Sequence, residues 1–166
     1  MKLRTLAMLI AVVVVLLPLA AFAQTDVTGT MNVSANVTQS CSVNSGSLAF
    51  GAYDPTATGN LDVAGSIWLT CTNLGPATIK LNDGQNGTGT LGNPNRHMHN
   101  VTNGGPDLAY SLFSDIGRNT PWEGVTGVSF TGSGDEDSVP VYGRITELQN
   151  VAPGNFSDTV TITVTY

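Results

Sequence analysis

The chain has 166 residues, 41% of them hydrophobic and only 11% charged, with six basic residues against twelve acidic ones for a net charge of −6. That balance excludes a general nucleic-acid binder, which needs a basic surface. The length suits one domain with a sizeable core rather than two.

In chain order, residues 1–23 read as a secretory signal peptide: Lys2 and Arg4, the apolar run Leu6 to Leu19, then Ala21-Phe22-Ala23 with small residues where a signal peptidase reads. A retained anchor is the competing reading, for which the run is short. Cleavage before Gln24 would leave 143 residues with four basic and twelve acidic groups, a net charge of −8.

Residues 24–40 form an N-terminal extension of strict alternation. Val27, Gly29, Met31, Val33, Ala35 and Val37 fall on one side, and Thr28, Thr30, Asn32, Ser34, Asn36 and Thr38 on the other. The apolar side needs a partner, either the chain's own core or another chain. Cys41 and Cys71 follow. In an oxidising compartment an even pair is expected to form a disulfide, stabilising the fold by roughly 3 to 4 kcal/mol. Free or metal-bound thiols are the alternative, although neither cysteine lies in a Cys-x-x-Cys pair.

From there strands are expected at Ser47–Tyr53, Asp62–Thr72, Ala77–Leu81, His97–Val101, Leu108–Phe113, Gly127–Thr131, Val139–Leu148 and Phe156–Tyr166. Gly, Pro and Asn clusters punctuate them, as at Asn73 to Pro76 and Asn82 to Pro94. No window carries helical periodicity, so the fold expected over 41–166 is an all-β sandwich of two sheets. In the last strand Val160, Ile162, Val164 and Tyr166 alternate with threonines, and that edge is expected to be left uncovered.

Catalytic signatures are missing: no Gly-x-Ser-x-Gly, no His-Glu-x-x-His and no phosphate-cradling glycine loop. His97 and His99 would share a strand face but lack a third ligand nearby, so no metal or cofactor is expected. Asp135-Glu136-Asp137 reads as a solvated loop without the spacing of a calcium site. Five Asn-x-Ser/Thr triplets, at Asn32, Asn36, Asn86, Asn100 and Asn155, are what an Asn- and Thr-rich chain supplies by chance. Trp68 and Trp122 could stack on sugars, although packing is the commoner use of tryptophan.

Several blocks of the sequence resemble the spore coat protein U domain family, which includes subunits of archaic (Csu-type) chaperone-usher pili. They are Leu48-Ala49-Phe50-Gly51-Ala52-Tyr53-Asp54, Ile67-Trp68-Leu69-Thr70-Cys71, Ile79-Lys80-Leu81-Asn82-Asp83-Gly84, Arg96-His97-Met98, Leu108-Ala109-Tyr110-Ser111-Leu112, Val141-Tyr142-Gly143-Arg144-Ile145 and the closing Phe156 to Tyr166. The resemblance implies an incomplete immunoglobulin-like β-sandwich whose C-terminal edge accepts a strand from a periplasmic chaperone. At an outer-membrane usher that strand is exchanged for the N-terminal extension of a neighbouring subunit. Val27, Gly29, Met31, Val33, Ala35 and Val37 would then be the donor side chains, and Phe156, Val160, Ile162, Val164 and Tyr166 the acceptor and chaperone-binding edge. The expected function is structural and not enzymatic: a subunit of a cell-surface fimbrium supporting adhesion and biofilm formation. A secreted carbohydrate-binding module and a spore or cyst coat protein are the alternatives.

Overall fold

The computed structural model describes residues 24–166; the expected signal peptide, 1–23, lies outside the described residues. The chain divides into two compact units, which meet between Asn36 and Val37. In the first, residues 24–36 form neither helix nor strand. The second holds nine strands and, among the described residues, no helix.

The strands are β1 (Cys41–Ser47), β2 (Leu61–Cys71), β3 (Pro76–Leu81), β4 (Arg96–Asn100), β5 (Leu108–Phe113), β6 (Val128–Thr131), β7 (Glu136–Ile145), β8 (Phe156–Ser157) and β9 (Ile162–Thr165). They form a six-stranded sheet, ordered β1-β2-β7-β5-β4-β8, and a three-stranded sheet, ordered β6-β3-β9. All pairings are antiparallel. Period-2 alternation turns one face of each strand inward. Ile67, Leu69 and Cys71 of β2, Val141 and Ile145 of β7, and Leu108, Tyr110 and Leu112 of β5 thereby meet Ala77, Ile79 and Leu81 of β3 in one buried core. Trp122 joins the two sheets: its backbone N–H donates to Leu112 O at 2.8 Å and its indole Nε1 to Ile79 O at 3.0 Å.

The expected disulfide is present between Cys41 and Cys71, which face each other in the β1–β2 register. The expected strands over 61–131 match β2 to β6 to within a residue or two. Three other expectations are corrected.

The segment Ser47–Tyr53 is not a strand; the strand ends at Ser47. Beyond it Leu48 and Phe50 turn onto the core without a ladder partner, and Phe50 meets Tyr110 edge-on at 5.9 Å between ring centroids. Glycines opposite make the room. A β-carbon on Gly143 would stand 2.8 Å from Phe50 Cζ, and one on Gly65 would collide with Ser47 O and Leu48.

The strand expected at Val139 starts at Glu136, because Glu136 and Asp137, expected in a solvated loop, pair with Thr70 and Leu69. Finally, Phe156–Tyr166 is two short strands in different sheets. β8 pairs with β4 and β9 with β3, and the chain crosses between sheets over Asp158–Thr161.

Candidate functional site

That crossing borders a groove of about 890 Å³ between the two sheets. Its floor is core: Ile67, Leu81, Tyr110, Leu112, Val141 and Ile145. One rim is the end of β1, Gly46 and Ser47, with the unpaired segment 48–53 that follows it, and the other runs from Phe156 to Ile162. β9 is an edge strand paired only with β3, so its second backbone edge has no strand partner among the described residues. Two apolar layers thus lie open along a line where a closed sandwich would carry another strand.

The acceptor residues named from the sequence divide. Phe156, Val160 and Ile162 line the groove, Val164 is half-buried against the core, and Tyr166 lies beyond β9 with 57% of its surface exposed. The donor residues stand apart from any ladder. Val27, Met31, Val33 and Val37 are between 81% and 93% exposed, and Gly29 and Ala35 are exposed as well.

A polar frame holds the groove rim. Asp158, the one carboxylate lining the groove, accepts from Tyr110 Oη at 2.6 Å, from the backbone N–H of Gln85 at 2.9 Å and of Asn86 at 3.2 Å, and from Asn86 Nδ2 at 3.1 Å. Burial, then the bond to Asp158 and its charge, holds the Tyr110 phenol far above its usual range, so it donates permanently. Asn82 pins the next step of the crossing: Thr161 N–H donates to Asn82 Oδ1 at 2.7 Å, and Asn82 N–H to Thr161 O at 3.1 Å.

Beneath this lies Arg96, only 2% exposed, whose guanidinium donates to the carbonyls of Asn82 (2.8 Å), Leu81 (3.2 Å) and Trp122 (2.8 Å). Burial lowers its pKa, opposed only in part by Tyr110 and by the nearby charges of Asp83 and Asp158. Its role was not legible in the sequence because backbone carbonyls leave no residue signature.

Other candidates fall away on geometry. Trp122, the residue on which a sugar-stacking test would rest, is 1% exposed and cannot meet a ligand face; Trp68 is 40% exposed. His99 Nδ1 lies 2.7 Å from Asp107 and His97 Nδ1 3.0 Å from Asn95 O, and no cluster of three metal-ligating side chains occurs among the described residues. Asn100 is 1% exposed and caps the following turn, accepting from the N–H groups of Thr102 and Asn103, so its glycosylation triplet is sealed.

At the other end of β1 the chain is tied to the domain just before Cys41. Ser40 N–H donates to Thr72 Oγ1 and Thr72 N–H to Ser40 O, both at 2.9 Å, while Gln39 Nε2 donates to Pro76 O at 2.5 Å. The extension therefore departs from the pole formed by the Cys71–Pro76 turn.

Comparison with known proteins places this geometry. The family model for the Spore Coat Protein U domain matches residues 27–163. Protein U of Myxococcus xanthus is 36% identical over 152 residues, covering 84% of each chain. Among solved structures, the CsuC–CsuE chaperone–tip adhesion subunit pre-assembly complex from archaic chaperone-usher Csu pili of Acinetobacter baumannii matches with a TM-score of 0.52 at 20% identity. That match covers 78% of this chain and 40% of the other, and the likeness is one of fold. The P pilus rod subunit PapA matches with a TM-score of 0.40 at 16% identity over 86% of this chain and 99% of its own.

Proposed function

The chain belongs to the Spore Coat Protein U domain family, and from that premise we propose that it is a structural subunit of a chaperone-usher pilus, joined to its neighbours by donor-strand exchange. The observation that carries this reading is the pairing of two unfinished features: an apolar groove alongside an edge strand, and an exposed extension whose alternating apolar side is the shape of strand the groove lacks. In this reading 24–40 is the donor extension and 41–166 the pilin-like domain. Val27, Gly29, Met31, Val33, Ala35 and Val37 face the neighbour's groove, and Phe156, Val160, Ile162, Val164 and Tyr166 form the edge they join.

Insertion between chains is favoured over self-insertion. With Gln39 and Ser40 tied to Pro76 and Thr72, only Thr38 is left after Val37 to reverse the chain, fewer residues than a tight hairpin needs. Before assembly the partners are a periplasmic chaperone, which covers the groove, and an outer-membrane usher. The product is a cell-surface fimbrium serving adhesion and biofilm formation, with no catalytic step.

The test is expression of the mature chain with and without a candidate periplasmic chaperone. A chain soluble only as a one-to-one complex supports the reading. A stable monomer that neither needs the chaperone nor polymerises overturns it. A second reading, a structural protein of a resting-cell coat, is favoured by the family's description. Immunogold labelling of coats against surface fibres separates the two.

A further inference from the structure

Two leucines of the second unit adopt a left-handed backbone, and both are exposed: Leu74 (φ 58°) is 78% exposed and Leu148 (φ 59°) is 58% exposed. A side chain with a β-carbon crowds its own backbone in this conformation, and turns that require it usually hold Gly or Asn. Leu74 sits third in the turn Thr72–Gly75, closed by Gly75 N–H to Thr72 O at 2.9 Å, and its own N–H donates to Gly132 O at 2.8 Å. Leu148 precedes Gln149, whose N–H donates to Tyr53 Oη on the groove rim at 2.9 Å and whose side chain both accepts from and donates to the backbone of Ala109 at 2.8 Å. Both turns are thus fixed by hydrogen bonds with a bulky apolar side chain turned outward, and neither leucine belongs to the core.

Their placement is opposed. Leu74 stands at the pole from which the extension leaves, next to Gly75, against which the Gln39 side chain lies. Leu148 follows the far end of β7, at the opposite pole, where Tyr53, Val151 and Pro153 form the mouth of the groove.

We infer that these leucines are the mating points of a head-to-tail junction between two copies of this chain, Leu74 of one copy seating beside Leu148 at the groove mouth of the next. The inference rests on the donor-strand reading. If Val37 occupies a neighbour's groove, only Thr38 separates it from Gln39, which is tied to its own domain; so short a tether spans roughly 10 Å at most, and the two poles must touch. A junction using the same pole of both copies closes on itself as a dimer, whereas a repeating polymer needs unlike poles. Single exposed leucines are ordinary. A strained, rigidly held one on each of the two surfaces the tether brings together is a feature that packing within the chain leaves unexplained.

The test uses the full chain secreted with its assembly machinery, carrying Leu74→Cys and Leu148→Cys together and each alone, with peptide mapping to check that Cys41 and Cys71 stay paired. Under mild oxidation the double variant gives a reductant-sensitive ladder on a denaturing gel and the single variants do not. Inserting Gly-Ser-Gly-Ser after Thr38 loosens the tether and cuts ladder yield by about tenfold or more while fibres persist. Fibres without a ladder, a ladder from either single variant, or a ladder undiminished by the insertion each overturn the junction and leave donor-strand exchange standing. Absence of fibres from the unaltered chain overturns both.

Discussion

Replacing Val33 with Asp perturbs the middle of the donor stretch and nothing else in the free chain. Val33 is 82% exposed, so folding loses nothing and the thermal midpoint should stay within the range of ordinary surface substitutions, about 0.5 kcal/mol. Under donor-strand exchange the same position would enter a neighbour's groove, whose floor includes Ile67, Leu81, Leu112 and Val141 and whose lining holds Asp158 as its one carboxylate. The substitution forfeits roughly 2 kcal/mol of valine burial. It also brings an unpaired carboxylate into that surface, at several kcal/mol more. A total of about 5 kcal/mol corresponds to a loss of between roughly 10³ and 10⁴ in the exchange equilibrium. Val33→Ala, which removes two methyl groups, should cost only about tenfold. Counting fibres by electron microscopy and heat-resistant polymer on gels gives the ranking: valine above alanine, and alanine far above aspartate. Fibres of normal yield from Val33→Asp would refute the reasoning.

Removing the disulfide with Cys41→Ala and Cys71→Ala releases a loop spanning a sequence separation of 30, which on the chain-entropy model costs about 3 to 4 kcal/mol. Calorimetry should show the midpoint falling by roughly 10 to 15 °C, and a change under about 3 °C would contradict it. Arg96→Met strips the donors from the Leu81, Asn82 and Trp122 carbonyls and should destabilise by about 3 to 5 kcal/mol in urea unfolding, with Arg96→Lys recovering only part; an unchanged urea midpoint for Arg96→Met would count against the buried frame. Asp62, which accepts from Nε and Nη2 of Arg144 at 2.7 and 2.8 Å, has its pKa held below the usual carboxylate range chiefly by that bond. A carboxylate depressed in the folded state stabilises above its unfolded pKa and loses that contribution as pH falls through the folded value. Asp62→Asn should therefore cost up to about 1 kcal/mol at neutral pH, the pair being partly exposed, and the gap to the parent should close in acid. A gap that widens in acid would be the wrong sign.

The parts of the fold legible in the sequence are those in which one strand face is buried and the other wet. β2, β3 and β5 announce themselves because Ile67, Leu69 and Cys71, Ala77, Ile79 and Leu81, or Leu108, Tyr110 and Leu112 recur at every second position. β1 is silent for the converse reason: CSVNSGS lies at a sheet edge with six of its seven residues exposed. Leu48 and Phe50 mislead in the opposite way, since their alternation serves a groove rim and not a ladder.

The break in the last strand turns on Asp158, whose partners at 85, 86 and 110 come from elsewhere in the chain and cannot be foreseen from its neighbours. The donor stretch shows plainly in its alternation. The groove does not, because it exists only once the 46–53 and 156–162 segments are placed on either side of the core.

Hydrogen–deuterium exchange on the free or chaperone-held chain and on the assembled fibre tests donor-strand exchange most directly. Before assembly the amides of residues 27–37, which belong to no strand, should exchange at once. In the fibre, alternate ones should be slowed by a factor of about 10³ or more as they join a ladder beside β9. Amides over 27–37 that stay unprotected in intact fibres, or that are already protected in the unassembled chain, would contradict it.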